Sequence, residues 1–244
     1  MTPDAIPATY GTITVNQDTA IFTRQDDGGW MRQWETPLGG RAYIVVMTGK
    51  ALAVWRQPHK VDGEMKPARM IAAVVPDQRH HITVLTDWAW HLSKYYGDCL
   101  VMVDAGSCPG SLPTLKERGV MLWTRQQRDD KRPLGQGLPS RHIGWEMTEP
   151  ARMDGLVTLQ RMISDAQIKI PCAHTITEIR MTATNATNEV EVAQGYGSDW
   201  LNNAIMAAIG LPNATTYQIQ ASIYSGDYMT RLDSSNFDVG NMGS

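Results

Sequence analysis

Long apolar runs are missing from this sequence. No stretch of about 18 apolar residues exists, which excludes a membrane-spanning helix. The N-terminal MTPDAIPATYG has no basic segment followed by an apolar one, so no secretory signal is expected. Cysteine is scarce: Cys99, Cys108 and Cys172 form no CxxC pair. That argues against a disulfide framework or a cysteine-built zinc module and suits idle, buried thiols in a reducing compartment. An excess of either charge is absent too, with 22 Lys and Arg against 25 Asp and Glu, net -3. Nucleic-acid contact must therefore rest on a local patch. A GxxxxGK(S/T) phosphate loop is also lacking. The nearest text, MTGKALA, has neither the first Gly nor the Ser or Thr.

What is present is ordinary globular composition, 42% hydrophobic and 19% charged, enough over 244 residues to bury a core without metals or disulfides. Residues 1–38 read as a lead-in in which TITV and TAIFTR suit short strands. RAYIVVMTG, bounded by glycines, reads as a buried strand, with ALAVWRQ as its hairpin partner and ARMIAAVV as a third strand after a polar loop. Three strands with short connections predict an antiparallel meander. Ile82, Leu85, Ala89, Leu92 and Tyr96 keep one face apolar and predict a helix over 81–96, stopped by Gly97. CLVMVDAG reads as another strand, SLPTLKERG as a short helix and VMLWTR as a further strand. Thr148 and Pro150 open a helix. IKIP is briefly extended, HTITEIRMT reads as a short helix or a strand, with helix favoured, and SDWLNNAIMAAIG is an apolar helix closed by Gly210 and Pro212. This order predicts one α/β domain over 39–211: a mixed sheet with an antiparallel three-strand start and helices on both faces. A polar tail, 212–244, is expected to be loosely ordered or to borrow a partner.

Two acids stand out by position. Asp104 ends the apolar strand LVMVD, at the sheet edge where ligands bind in open α/β folds. Asp199 opens the last helix, where backbone donors and the helix dipole favour a carboxylate. Taken singly, each reads equally well as a turn or cap residue. Carboxylates converging from separate elements suit Mg²⁺ or Mn²⁺. A pair of such ions about 4 Å apart can activate water and stabilise a leaving oxygen.

The order of these pieces resembles the nuclease domain of tailed-phage large terminases, an RNase H-like fold. The resemblance runs from about Trp34 to Leu211. It is carried by WETPLGGRAYIVVMTG, by HHITVLTDWAWHLSKYYG followed by CLVMVDAGSCPGSLPTLKERGV, by HIGWEMTEPARMDGLVTLQRMI, and by GSDWLNNAIMAAIG. It implies that Asp104 is the second metal-binding acid and Asp199 the catalytic acid of the final helix. The first acid, at the end of the first strand, has no counterpart: Met47 or Thr48 stands there, and Thr48 is the better match. In the closing triplet Ser198 replaces a His and Trp200 a second Asp. The resemblance implies a Mg²⁺- or Mn²⁺-dependent endonuclease cutting double-stranded DNA during viral genome packaging. A packaging ATPase, small terminase or portal would be its partners, in the host cytoplasm. With no ATPase motif, the chain is expected to be an excised domain, a split gene product or a degenerate paralogue. The alternative is a domain that has lost catalysis and serves as a DNA-binding or motor-assembly module.

Glu146 and Asp62 are the candidate substitute ligands, ahead of Glu64 and Glu191; each also suits a solvated loop charge. Arg125, Arg128, Lys131, Arg132 and Arg141 gather in the polar, glycine-containing stretch 125–142. They suit a grip on the phosphate backbone or a solvated loop. Trp123 and Trp145 flank that stretch and suit base stacking or the core.

Overall fold

Apolar runs flanked by glycine set the centre of the molecule. YIVVM, LAVWR and LVMV are buried along their whole length, as strands covered on both faces must be. The computed structural model describes residues 8–16, 19–25, 29–39, 42–74, 81–126, 141–184, 190–192 and 197–213. Its strands are β1 (Thr9–Asn16), β2 (Thr19–Arg24), β3 (Met31–Gln33), β4 (Tyr43–Met47), β5 (Leu52–Arg56), β6 (His59–Val61), β7 (Glu64–Lys66) and β8 (Ala68–Val74). After these come β9 (Leu100–Val103), β10 (Thr124–Gln126), β11 (Arg141–Ile143), β12 (Ile168–Lys169), β13 (Thr182–Thr184) and β14 (Val190–Val192). The helices are α1 (Ile82–Tyr95), α2 (Ser111–Glu117), α3 (Glu149–Ser164), α4 (Ala173–Arg180) and α5 (Asp199–Gly210), and a 3₁₀ turn, Leu211–Asn213, follows. Among the described residues no helix is long and apolar enough to cross a membrane.

One sheet runs β2-β1-β3-β8-β5-β4-β9, with β12 parallel to β8. The expected meander is β4-β5-β8, and β9 lies parallel to β4. Side chains alternate along β4. Tyr43 meets Tyr96 at the end of α1, ring centroids 5.2 Å apart. Ile44 faces the other way, toward Gly210, where an added Cβ would come within 2.8 Å of Ile44 Cδ1. So α1 covers one face and α5 the other, with α3 and α4 packed on α5. His81 caps α1 by accepting from the Thr83 N–H, and Gly97 ends it at φ +81°. Thr148 caps α3 by accepting from the Ala151 N–H.

The segment read as a lead-in extends this same sheet. β1 and β2 form a hairpin, and β3 joins it to β8. Trp30 stacks on Trp88 of α1 at 4.4 Å, and Gln33 donates to the Tyr96 hydroxyl at 3.0 Å. Both tryptophans of α1 therefore have work: Trp90 lies under the Arg118 guanidinium, 5.0 Å from the ring centroid.

A further lane, beside β9, is built from two separated pieces. Met121 and Trp123 bond Val101, then Trp145 bonds Val103 and Ala105. Between them the chain leaves the sheet as the antiparallel pair β10–β11 and returns at Gly144, φ +85°. The stretch read as a polar loop thus begins and ends as strands; residues 127–140 lie outside the described residues.

Gly155 lets α3 approach α5. A Cβ there would stand 2.4 Å from Ile205 Cγ2 and 2.9 Å from Ile209 Cδ1, and Ile205 is fully buried with no room to retreat. Gly155→Val should destabilise the fold by about 1–3 kcal/mol, the range for overpacking. An unchanged denaturation midpoint would show that the two helices do not depend on this contact.

Candidate active site

The register of the parallel pair decides which side chains meet. Met47 stands opposite Val103, and the Asp104 N–H donates to the Met47 carbonyl at 2.9 Å. The next residues, Thr48 and Asp104, are therefore level at the C-terminal edge of the sheet. By alternation they share the face of Ile44 and Met102, the face that α5 covers. The N-terminus of α5 lands there and brings Asp199.

Asp104 is buried and its carboxylate is held locally: the Gly106 N–H donates to Oδ1 at 3.1 Å and Ser107 Oγ donates to Oδ2 at 2.7 Å. Asp199 Oδ1 accepts from the Lys50 N–H at 3.2 Å. Gly49 leaves room for this, since a Cβ on it would sit 3.2 Å from that oxygen and 3.5 Å from Ser107 Cβ. Burial holds the Asp199 carboxyl above the usual carboxylate range; the Lys50 charge and N–H pull it back, and the Asp104 charge pushes it up again. Cys108, bonded through its backbone to Asp104, has its thiol pushed up to about 11 by burial, against the Ser107 hydrogen bond and with the two acids adding. It is no nucleophile.

Thr48 is buried and fully engaged. Its Oγ1 accepts from the Ala51 N–H and lies 3.2 Å from both the Ala51 and the Asp199 carbonyls, to which it can donate. The hydroxyl thus closes the β4–β5 turn and ties the first residue of α5 to it.

A third carboxylate, which sequence reasoning passed over, lies beside Asp199. Glu178 of α4 is buried, and its Oε2 accepts from the Leu201 N–H at 2.8 Å. It caps α5 from outside, where Ser198, the N-cap residue, makes no side-chain cap bond. Burial pushes the Glu178 carboxyl up to about 7, against hydrogen bonds from the Leu201 and Trp200 amides and with the Asp199 charge adding. The available signal was a Glu on the face shared by Thr175 and Ile176 in a short helix; its partner lies too far along the chain to be read from spacing.

The other expected residues are not gathered at the pair. Glu146 reaches the same end of the sheet, one residue past the Asp104–Trp145 bridge, and is exposed. Asp62 sits in the β6–β7 turn at φ +51°, beyond the far end of β5 and so at the opposite edge. Trp123 and Trp145 are buried with ring centroids 5.5 Å apart, so they belong to the core and are not open to bases. Arg125 and Arg141 stand on β10 and β11, whose backbone leaves the sheet beside β9. Arg128, Lys131 and Arg132 lie outside the described residues. Among the described residues no three His, Cys, Asp or Glu side chains form a metal cluster. Two carboxylates supply hard oxygen donors and balance one dication. The donor set thus fits one divalent ion and lacks the acid that would bridge two.

No protein-family model matches the chain, and no curated protein matches it in sequence. Solved structures do match in fold. The large terminase nuclease of the thermophilic phage G20c aligns at a TM-score of 0.51 and 12% identity, over 75% of this chain and 89% of that one. The chain has the fold of a large-terminase nuclease domain. The G20c nuclease with bound cobalt aligns at 0.49 and 13% identity, over 75% and 88%, and the nuclease domain of Thermus phage P74-26 at 0.48 and 11%, over 75% and 86%. At such identities the likeness is one of fold.

Glu178 gives the site a pH signature. Its carboxyl is raised on folding from 4.5 to about 7, so its contribution to stability is complete below pH 4.5 and is lost as pH rises through about 7. Glu178→Gln keeps an acceptor for Leu201 and removes the charge. Thermal melts of this variant should show a shallower decline between about pH 4.5 and 7 than the wild type. Parallel pH profiles would refute the assignment.

Proposed function

We propose that this domain is a metal-dependent endonuclease that cuts double-stranded DNA, without sequence preference, during viral genome packaging. One observation carries the reading: within a terminase-nuclease fold, a buried Asp104 and a half-buried Asp199, from elements almost 100 residues apart in sequence, converge at one sheet edge. Asp104 and Asp199 would hold Mg²⁺ or Mn²⁺, which when bound activates water and stabilises the leaving oxygen. The residues of the chain do the positioning. Gly106 and Ser107 orient the Asp104 carboxylate, the Lys50 N–H orients that of Asp199, and Thr48 and Glu178 hold the α5 N-terminus that presents it. Arg125 and Arg141, with Arg128, Lys131 and Arg132, grip the phosphate backbone beside the cut. A packaging ATPase, small terminase or portal supplies the rest of the motor.

A second reading is favoured by Thr48. It stands level with Asp104 where the family resemblance places the first acid, and its hydroxyl is committed to structure. A domain so altered would bind DNA or assemble with the motor without cutting.

Supercoiled plasmid in Mn²⁺ separates the two. The nuclease reading expects nicking by the wild type, its loss in Asp199→Ala, and a gain in Thr48→Asp of at least about tenfold, the lower bound for a disturbed metal shell. Silence from the wild type and from Thr48→Asp would leave the binding reading. DNA affinity should fall steeply with salt, and replacing the five basic residues should flatten the slope by up to about 0.9 per lost phosphate contact. A salt-independent affinity would remove the basic stretch from the interface.

A further inference from the structure

At the end of the sheet opposite Asp104 and Asp199 lies an open cavity of about 520 Å³. The β6–β7 ribbon forms one wall with Met65 and the flanking Pro58 and Pro67; Met162 of α3 and Ala208 and Leu211 at the end of α5 form the others. Met65 is 62% exposed, the largest exposure among the large apolar side chains of the described residues. Among the described residues the ribbon pairs only with itself, and a two-stranded ribbon is marginal without further cover. Its outer edges carry backbone groups open to another strand.

The described chain ends on the rim of this cavity. Leu211 and Pro212 line it, and the Gln57 side-chain amide holds the Leu211 carbonyl there. Four residues beyond Pro212 begins TYQIQASIY, residues 216–224. Tyr217, Ile219, Ala221 and Ile223 alternate with Gln218, Gln220, Ser222 and Tyr224. This two-residue period gives an extended segment one apolar edge and one largely polar edge. Such a segment needs an apolar surface and a backbone partner, and the cavity offers both. Four residues span at most roughly 14 Å, so the segment begins within reach of Met65 and docks at the high effective concentration of a short tether.

We propose that residues 217–224 dock in cis as an added strand along the β6–β7 ribbon, laying Tyr217, Ile219 and Ile223 over Met65 and Leu211. The occupant is this chain's own segment, because the chain is delivered to the rim and the alternating segment begins four residues beyond Pro212. The contact is independent of the metal and DNA readings, since it lies at the far end of the sheet.

Hydrogen exchange on the full-length protein tests this. Amides of 217–224 should exchange at least about tenfold more slowly than those of 232–244, as hydrogen-bonded strand amides do. Met65→Asp, a change at an exposed position that leaves the core intact, should abolish that protection without altering exchange in β4 or β9. Ile219→Asp should do the same from the other side. Protection must be equal at low and high protein concentration. Protection that grows with concentration would replace the cis contact by a second copy of the chain. Free-rate exchange of 217–224, or protection that survives both substitutions, would overturn the proposal outright.

Discussion

The seating of α5 on the β4–β5 hairpin is the constraint on which the rest depends. Asn203 is fully buried on α5; its Oδ1 accepts from the Trp55 indole N–H at 3.0 Å, and its Nδ2 donates to the Val46 carbonyl at 2.7 Å. A buried amide so placed fixes both the depth and the rotation of the helix. A slip in either direction would strand polar groups in an apolar layer, each worth about 1–3 kcal/mol. Gly210 at one end and the Thr48 hydroxyl at the other keep the helix close along its length. Only with this seating does Asp199 arrive level with Asp104.

The same seating explains the electrostatics. Helix and sheet bury Glu178 and partly bury Asp199, and this raises both carboxyls. Backbone amides offset part of that penalty: Lys50 for Asp199, Leu201 and Trp200 for Glu178. Thr48 belongs to this balance. An acid in its place would add a third buried negative charge, whereas the hydroxyl adds none and serves as the latch between turn and helix.

The interrupted lane beside β9 roots the β10–β11 pair next to Asp104. Gly144 returns the chain to the sheet where a side chain would press on the Val103 carbonyl at 3.0 Å. Trp123 and Trp145 bracket the departure and pack together under it. The β10–β11 pair is thus rooted in the core within two residues of Asp104.

Much of the architecture was legible in order of sequence. Glycine-bounded apolar runs and helical periodicity placed the meander, α1, α2, α3, α4 and α5, because local propensity and burial pattern agree in those segments. Asp104 and Asp199 were legible as strand-end and helix-start acids. The role of Glu178 was not, since a capping carboxylate 23 residues from its amide leaves no periodic trace. Nor was the distance of Asp62 from the pair: loop acids look alike until strand direction assigns them to one edge or the other. Of the two readings of Trp123 and Trp145 the core one holds, as their burial and mutual packing show. The sequence by itself determined which segments are strands and helices and which residues carry chemistry, for these follow from nearest neighbours along the chain. Only the tertiary structure decided which acids meet and that Thr48 is a latch, because those facts rest on strand register and helix seating, which are settled by long-range packing and the pairing of buried polar groups.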